Sequence, residues 1–224
     1  MKRIFLFVLP AMLALSCSRQ FYQTGAYNDL SGQHHTVAVL PAETVTTGRI
    51  PSDLTPEMVE AIEENESRAF QMALFDQVSR QTGRPEQNVK VNIQHYAETN
   101  AKLEKAGIGI RESWNMPPSE LAEVLGVDAV VRATVRKEWF LTNLESFGLN
   151  LARSVIFLFS NGPWWIIPND RTSVVLASAS IIDGRSGASV WNTEINRDTD
   201  WNTSHSEIVR RIARKLARRF PYRS

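Results

Sequence analysis

The chain has 224 residues, with 25 Lys and Arg against 24 Asp and Glu, and one cysteine. So even a charge balance excludes the broad basic field of a non-specific nucleic-acid binder. A single thiol excludes an internal disulfide framework and any paired-cysteine metal site.

The first sixteen residues, MKRIFLFVLPAMLALS, have the order of an export signal: Lys2 and Arg3, an apolar run from Ile4 to Leu15, then small Ser16 before Cys17. That run is shorter than the roughly 20 residues a spanning helix needs, and Pro10 interrupts it. An uncleaved anchor or a buried helix is the alternative. "LALSC", ending at Cys17, resembles the lipobox of bacterial lipoproteins. The resemblance implies cleavage before Cys17, a diacylglyceryl thioether on its sulfur and usually a palmitate-type acyl group on its amine. Each buried CH₂ adds about 0.8 kcal/mol, so more than one chain gives stable attachment. Loss of Lys2 and Arg3 leaves the mature chain near neutral. Residues 17–35 are polar without a period and read as a flexible tether, roughly 60 Å when extended. Ser18 and Arg19, with no aspartate, favour the outer membrane facing the periplasm by the sorting habit of enterobacterial lipoproteins.

Residues 36–224 are expected to form one domain. "TVAVLP", from Thr36, predicts a buried strand ended by Pro41. After a loop to Leu54, Thr55-Pro56-Glu57 predicts a helix start. That helix should reach about Arg80, with Val59, Ile62, Phe70, Ala73, Leu74 and Val78 mostly inward. "VKVNIQH" alternates as a half-buried strand over 89–95. A short helix stopped by Gly107, another from about Ser119 to Gly126, and a strand over about 128–138 follow. Two strands, 172–182 and 188–196, flank the turn Asp183-Gly184-Arg185-Ser186-Gly187 as a hairpin. "SHSE", from Ser204, has capping-box spacing. The helix it opens carries Ile208, Val209, Ile212, Ala213, Leu216, Ala217 and Phe220 on one stripe and Arg210, Arg211, Arg214, Lys215, Arg218 and Arg219 opposite. The order predicts an α/β fold: a single-layer mixed sheet with packed helices and a hydrophobic insertion at about 141–170.

At "VAVLP", "ELAEVLGVDAVVRATV" and "ASASIIDGRSGASVW" the chain resembles bacterial envelope lipoproteins. Among them are the curli-secretion lipoprotein and the lipoprotein activator of a penicillin-binding protein. The resemblance covers about half of the mature chain, in pieces. It implies an anticodon-binding-like α/β sandwich, in a group whose members form secretion pores, bind cell-wall enzymes or have no known activity. It brings over no catalytic residue.

The insertion holds two apolar arms, 155–159 and 164–167, around Ser160-Asn161-Gly162-Pro163. A membrane-barrel strand would alternate apolar and polar residues, and neither arm does. Two other readings stay open. The arms can be core, as a helix carrying Leu144, Phe147, Leu151, Val155 and Leu158. Or Phe157, Phe159, Trp164, Trp165, Ile166 and Ile167 can form a partner or membrane contact.

No hydrolase, phosphate-loop or zinc-protease motif occurs, so no catalytic residue, metal or cofactor is expected. His34 and His35 read as solvated in the tether, and Asp183, Asp198 and Asp200 as turn carboxylates. Arg210, Arg211, Arg214, Lys215 and Arg218 form a basic contact face for anionic lipid or an acidic polymer, or a solvated face paired with Glu57, Glu60 and Glu63. The expectation is a lipid-anchored envelope lipoprotein, not an enzyme, working by protein binding or oligomerisation in an assembly or secretion complex, with no nucleic acid and no small-molecule substrate. The alternative is a regulatory lipoprotein docking on a cell-wall synthetic enzyme.

Overall fold

The computed structural model describes residues 21–48, 55–82, 91–139, 173–199 and 205–222. The export signal, Cys17, the 141–170 insertion with its six contact candidates, and the Ser204 cap therefore lie outside the described residues.

Among the described residues thirteen elements follow in chain order: β1 (Phe21–Gln23), α1 (Tyr27–Ser31), β2 (Thr36–Val39), β3 (Glu43–Gly48), α2 (Pro56–Thr82), β4 (Asn92–Gln94), α3 (Tyr96–Lys105), α4 (Ile110–Asn115), α5 (Pro118–Leu125), β5 (Ala129–Trp139), β6 (Ser173–Asp183), β7 (Ser189–Thr199) and α6 (His205–Ala217). The seven strands form one open mixed sheet in the order β1-β7-β6-β5-β2-β4, with β3 also on β5. The expected single-layer mixed sheet with packed helices is what the chain builds.

β5 organises that sheet. β6 pairs along its whole length, Ala129 opposite Asp183 through Trp139 opposite Ser173. Its other edge is shared in parallel by two short strands, β2 against Ala129 to Val131 and β3 against Thr134 to Trp139. Pro41 lies between them, where a missing N–H breaks a ladder without loss. β3 is absent from the sequence reading because "ETVTTG" has no apolar alternation. Its partner supplies the hydrogen bonds that its pattern does not announce.

On one sheet face Ala129, Val131, Ala133 and Val135 of β5 and Val175, Ala177, Ala179 and Ile181 of β6 meet Phe70, Leu74 and Val78 of α2 and Ile212, Ala213 and Leu216 of α6. A smaller core joins Ala38, Leu40 and Val130 to Leu103, Leu121 and Leu125 of α3 and α5. The helix stops are as the sequence predicts. Gly107 and Gly126 adopt φ of 75° and 64°, where a Cβ would be strained.

Helix α2 departs from expectation. Ile62, read as inward, is 38% exposed, while Glu63, Ser67 and Gln71 are buried beside Phe70 and Leu74. Two of these three polar groups, Glu63 and Gln71, are held by partners, while the Ser67 hydroxyl has none among the described residues. Glu63 accepts the Thr46 N–H at 2.8 Å and the Arg111 guanidinium at 2.7 Å. Gln71 donates to the Val39 carbonyl and exchanges two bonds with the Asn100 amide. Buried polar groups with such partners avoid their desolvation cost.

The segment read as a flexible tether also differs. Phe21, Tyr22 and Gln23 pair with Thr193, Asn192 and Trp191 of β7, and α1 follows. A polar, aperiodic stretch can still add a strand, because the ladder uses backbone groups alone. Only four positions separate Cys17 from Phe21, a reach of at most about 14 Å.

Candidate functional site

A connected polar cluster lies where β2 begins, β6 ends and residues 220–222 return. His34, read as solvated, is 3% exposed. Its Nε2 lies 2.9 Å from Asp183 Oδ1, and its Nδ1 meets the Tyr222 hydroxyl. Asp183 also accepts from the Ser186 amide at 2.7 Å and its hydroxyl at 2.6 Å. Burial opposes ionisation of Asp183, but the Ser186 bonds and His34 outweigh it and hold the carboxyl below its ordinary value. An ionised carboxylate only accepts, so Nε2 carries a proton toward Asp183, while Nδ1 shares a hydrogen bond with the Tyr222 hydroxyl.

Carboxylate, imidazole and hydroxyl in a row have the order of a nucleophile relay. The terminal hydroxyl does not suit one. Burial first, then the Tyr27, Asp183 and Asp128 charges, push Tyr222 above the usual phenol range. The row instead fastens three distant stretches of chain. Tyr27 adds a bond from its hydroxyl to the Pro221 carbonyl at 3.0 Å. Trp191, Phe220 and Tyr222 continue the junction edge to face, with centroids 6.0 and 5.4 Å apart.

Asp128 completes it. Its carboxylate accepts the His35 and Thr36 amides at 2.9 and 3.0 Å, and its carbonyl accepts from Gly184 at 2.8 Å. A Cβ on Gly184 would stand 2.7 Å from the Ala122 Cβ and 2.9 Å from the Asp128 carbonyl, so only glycine fits. "GVD" and "DG" are thus two halves of one packing joint. Asp183 is a turn carboxylate, as the sequence reading has it, with His34 as an added partner. The sequence signal that would have found His34 is the apolar strand starting two residues later, which leaves little room for a tether.

Two further places carry polar chemistry. A cleft of about 640 Å³ opens between Pro41, Arg68, Asn100, Glu104 and Ile108. Arg111, missed by the sequence reading, stands between Glu63 and Glu64 and stacks 5.2 Å over the Trp114 ring. Among the described residues no group of three or more His, Cys, Asp or Glu could hold a metal ion. None of the described helices is long and apolar enough to cross a membrane.

Arg210, Arg211, Arg214 and Arg218 are exposed along α6, with Lys215 half-buried beside them. Arg211 pairs with Glu207 of its own helix, and Arg219 donates to the Thr193 hydroxyl and the Glu194 carbonyl. Of the acids considered as partners, Glu63 is taken by Arg111, and Glu57 and Glu60 are exposed on α2.

No family model matches the chain, and no curated protein matches it. Solved structures with a similar course include lipoprotein GNA1162 from Neisseria meningitidis, 15% identical over 83% of this chain and 96% of that one, with a TM-score of 0.48. The PelC dodecamer from Paraburkholderia phytofirmans is 16% identical over 82% of this chain and 85% of that one, TM-score 0.39. The LpoB C-terminal domain from Escherichia coli is 9% identical over 86% and 93%, TM-score 0.35. None of these three is a curli-secretion lipoprotein, so that part of the resemblance rests on the sequence motifs. With every score under 0.5, these likenesses assign neither family nor activity to the chain.

Proposed function

We propose that the chain is a lipid-anchored lipoprotein of the cell envelope, held by acylated Cys17 on the periplasmic side of the outer membrane. It acts by protein binding or self-association in an assembly or secretion complex, with the 141–170 insertion as its contact, and catalyses no reaction. The observation that carries this reading is the order of basic residues, apolar run and Ser16-Cys17 immediately before a folded strand at Phe21. An export signal placed so close to the fold leaves Cys17 as the natural attachment point.

Metabolic labelling with a fatty-acid probe should mark the wild type and not Cys17→Ser; equal labelling would remove the anchor. Chemical crosslinking in intact envelopes should give a ladder that Trp165→Asp with Ile167→Asp abolishes while the fold survives. A ladder that persists in that double variant would exclude the insertion as the contact.

A second reading, docking on a cell-wall synthetic enzyme through a helix face, draws on α2. Met58, Ile62 and Met72 are 48%, 38% and 42% exposed along its outer side. Under this reading a monomeric protein retains one cell-wall enzyme in detergent extracts, and Met58→Glu with Met72→Glu releases it.

A further inference from the structure

We infer that the arginine face of α6 docks on the anionic phospholipid surface to which the chain is anchored, so that the bilayer orients the domain. This rests on the anchor proposed at Cys17 and adds to it a contact made by the folded domain itself.

Two independent observations converge on this face. The first is charge. Arg210 and Arg214 of α6 and Arg218, one residue past its end but still donating its N–H to the Arg214 carbonyl at 3.0 Å, recur every fourth residue, so they stack on one side along about 12 Å. All three are exposed and make no ion pair among the described residues. Arg211 stands beside them, its charge shared with Glu207. The opposite side of α6, through Ile212, Ala213, Leu216 and Ala217, is buried in the core, which fixes the arginines outward.

The second is where the described chain begins. Phe21 enters the sheet opposite Thr193, from the side of Glu194. Arg219, directly after Arg218, bonds both the Thr193 hydroxyl and the Glu194 carbonyl. The last turn of the basic helix therefore adjoins the point from which the chain runs to Cys17. With a reach of at most about 14 Å from Phe21, the acyl chains hold this corner of the domain against the bilayer surface. Cations bound so closely lie within roughly a Debye length of the headgroups, where anionic lipid attracts them. The guanidinium fork suits a phosphodiester, since it offers paired donors to its oxygens. A long tether would have left such a face free to look elsewhere; the pairing of β1 with β7 removes that freedom.

The test uses the processed chain, residues 17–224, carrying Cys17→Ser, which retains every described element and lacks the acyl groups. It should co-sediment with vesicles of phosphatidylcholine plus phosphatidylglycerol and not with phosphatidylcholine alone, and high salt should release it. Arg210→Gln with Arg214→Gln and Arg218→Gln should weaken the binding at least tenfold with an unchanged circular dichroism spectrum. Glu60→Gln, an exposed control on α2, should not weaken it. Should the triple variant fail to fold, the salt titration of the unaltered face decides. Equal binding to both vesicle types, salt-insensitive binding, or full binding by a folded triple variant would overturn the proposal. Capture by soluble heparin without capture by anionic vesicles would also overturn it, in favour of a soluble acidic polymer. Because the assay uses no acylated cysteine, its failure is separate from failure of fatty-acid labelling in cells.

Discussion

Asp183 shows how one side chain can serve a turn and a long-range tie together. Its carboxylate closes the β6–β7 turn through Ser186 and simultaneously orders His34. Because its folded pKa lies below the ordinary value, its contribution to stability is complete above about pH 4 and is lost as pH falls through the lowered value. Asp128 follows the same sign: burial raises it, but the His35 and Thr36 amides and the nearby histidines bring it below its ordinary value. Asp183→Asn should therefore cost about 1–3 kcal/mol at neutral pH and flatten the fall in stability below pH 4. Urea unfolding at a series of pH values measures both. An unchanged acid slope would show that the carboxylate is not ionised in the folded state. Asp183 itself was legible in the sequence as a turn residue. Its partner was not, since a histidine pair in a polar stretch is marked only by the apolar strand that starts two residues later, and Asp183 lies far along the chain.

At the scale of the element, pattern and packing agree where a helix or strand buries one clean face. α6 and the β6–β7 hairpin were legible for that reason, though β7 runs three residues further than the pattern suggests and α6 ends three residues earlier, at Ala217. The longer β7 places Asp198, read as a turn carboxylate, in the strand opposite Val174. α2 was legible in extent but not in rotation. Its inner face carries Glu63, Ser67 and Gln71, and a rule that places apolar residues inside turns Ile62 the wrong way. What holds Glu63 and Gln71 inward comes from other elements: Thr46 of β3 and Arg111 of the short helix α4 on Glu63, and Val39 of β2 with Asn100 of α3 on Gln71. Removing the half-exposed Arg111 leaves the buried Glu63 carboxylate without its counter-charge. Arg111→Ala should destabilise the fold by about 2 kcal/mol, and Arg111→Ala with Glu63→Gln should recover part of the loss. Thermal unfolding of the two variants checks this. A double variant no better than the single would mean that Arg111 acts through its stacking on Trp114.

For the whole molecule, the two ends of the described chain close on one another. Tyr27 and His34 near the start bond Pro221 and Tyr222 near the end, and β1 lies on β7 beside Arg219. Tyr222→Phe leaves His34 Nδ1 buried without its hydroxyl partner, at a cost of about 1–3 kcal/mol. Its amide exchange should rise together in 21–35 and in the last turn of α6, since one joint holds both. Faster exchange confined to the C-terminal residues would show that the ends are independent. Read alone, the sequence determined the class of fold, the order of its main strands and helices and the candidate anchor at Cys17, because periodicity, turn chemistry and export signals are local. Only the tertiary structure decided that residues 21–35 belong to the domain, that α2 turns a polar stripe inward, and that β1 comes beside the end of the arginine helix. Those outcomes depend on partners far away in the chain: a ladder bond, an ion pair or a buried imidazole becomes favourable only when folding has brought its second half into place.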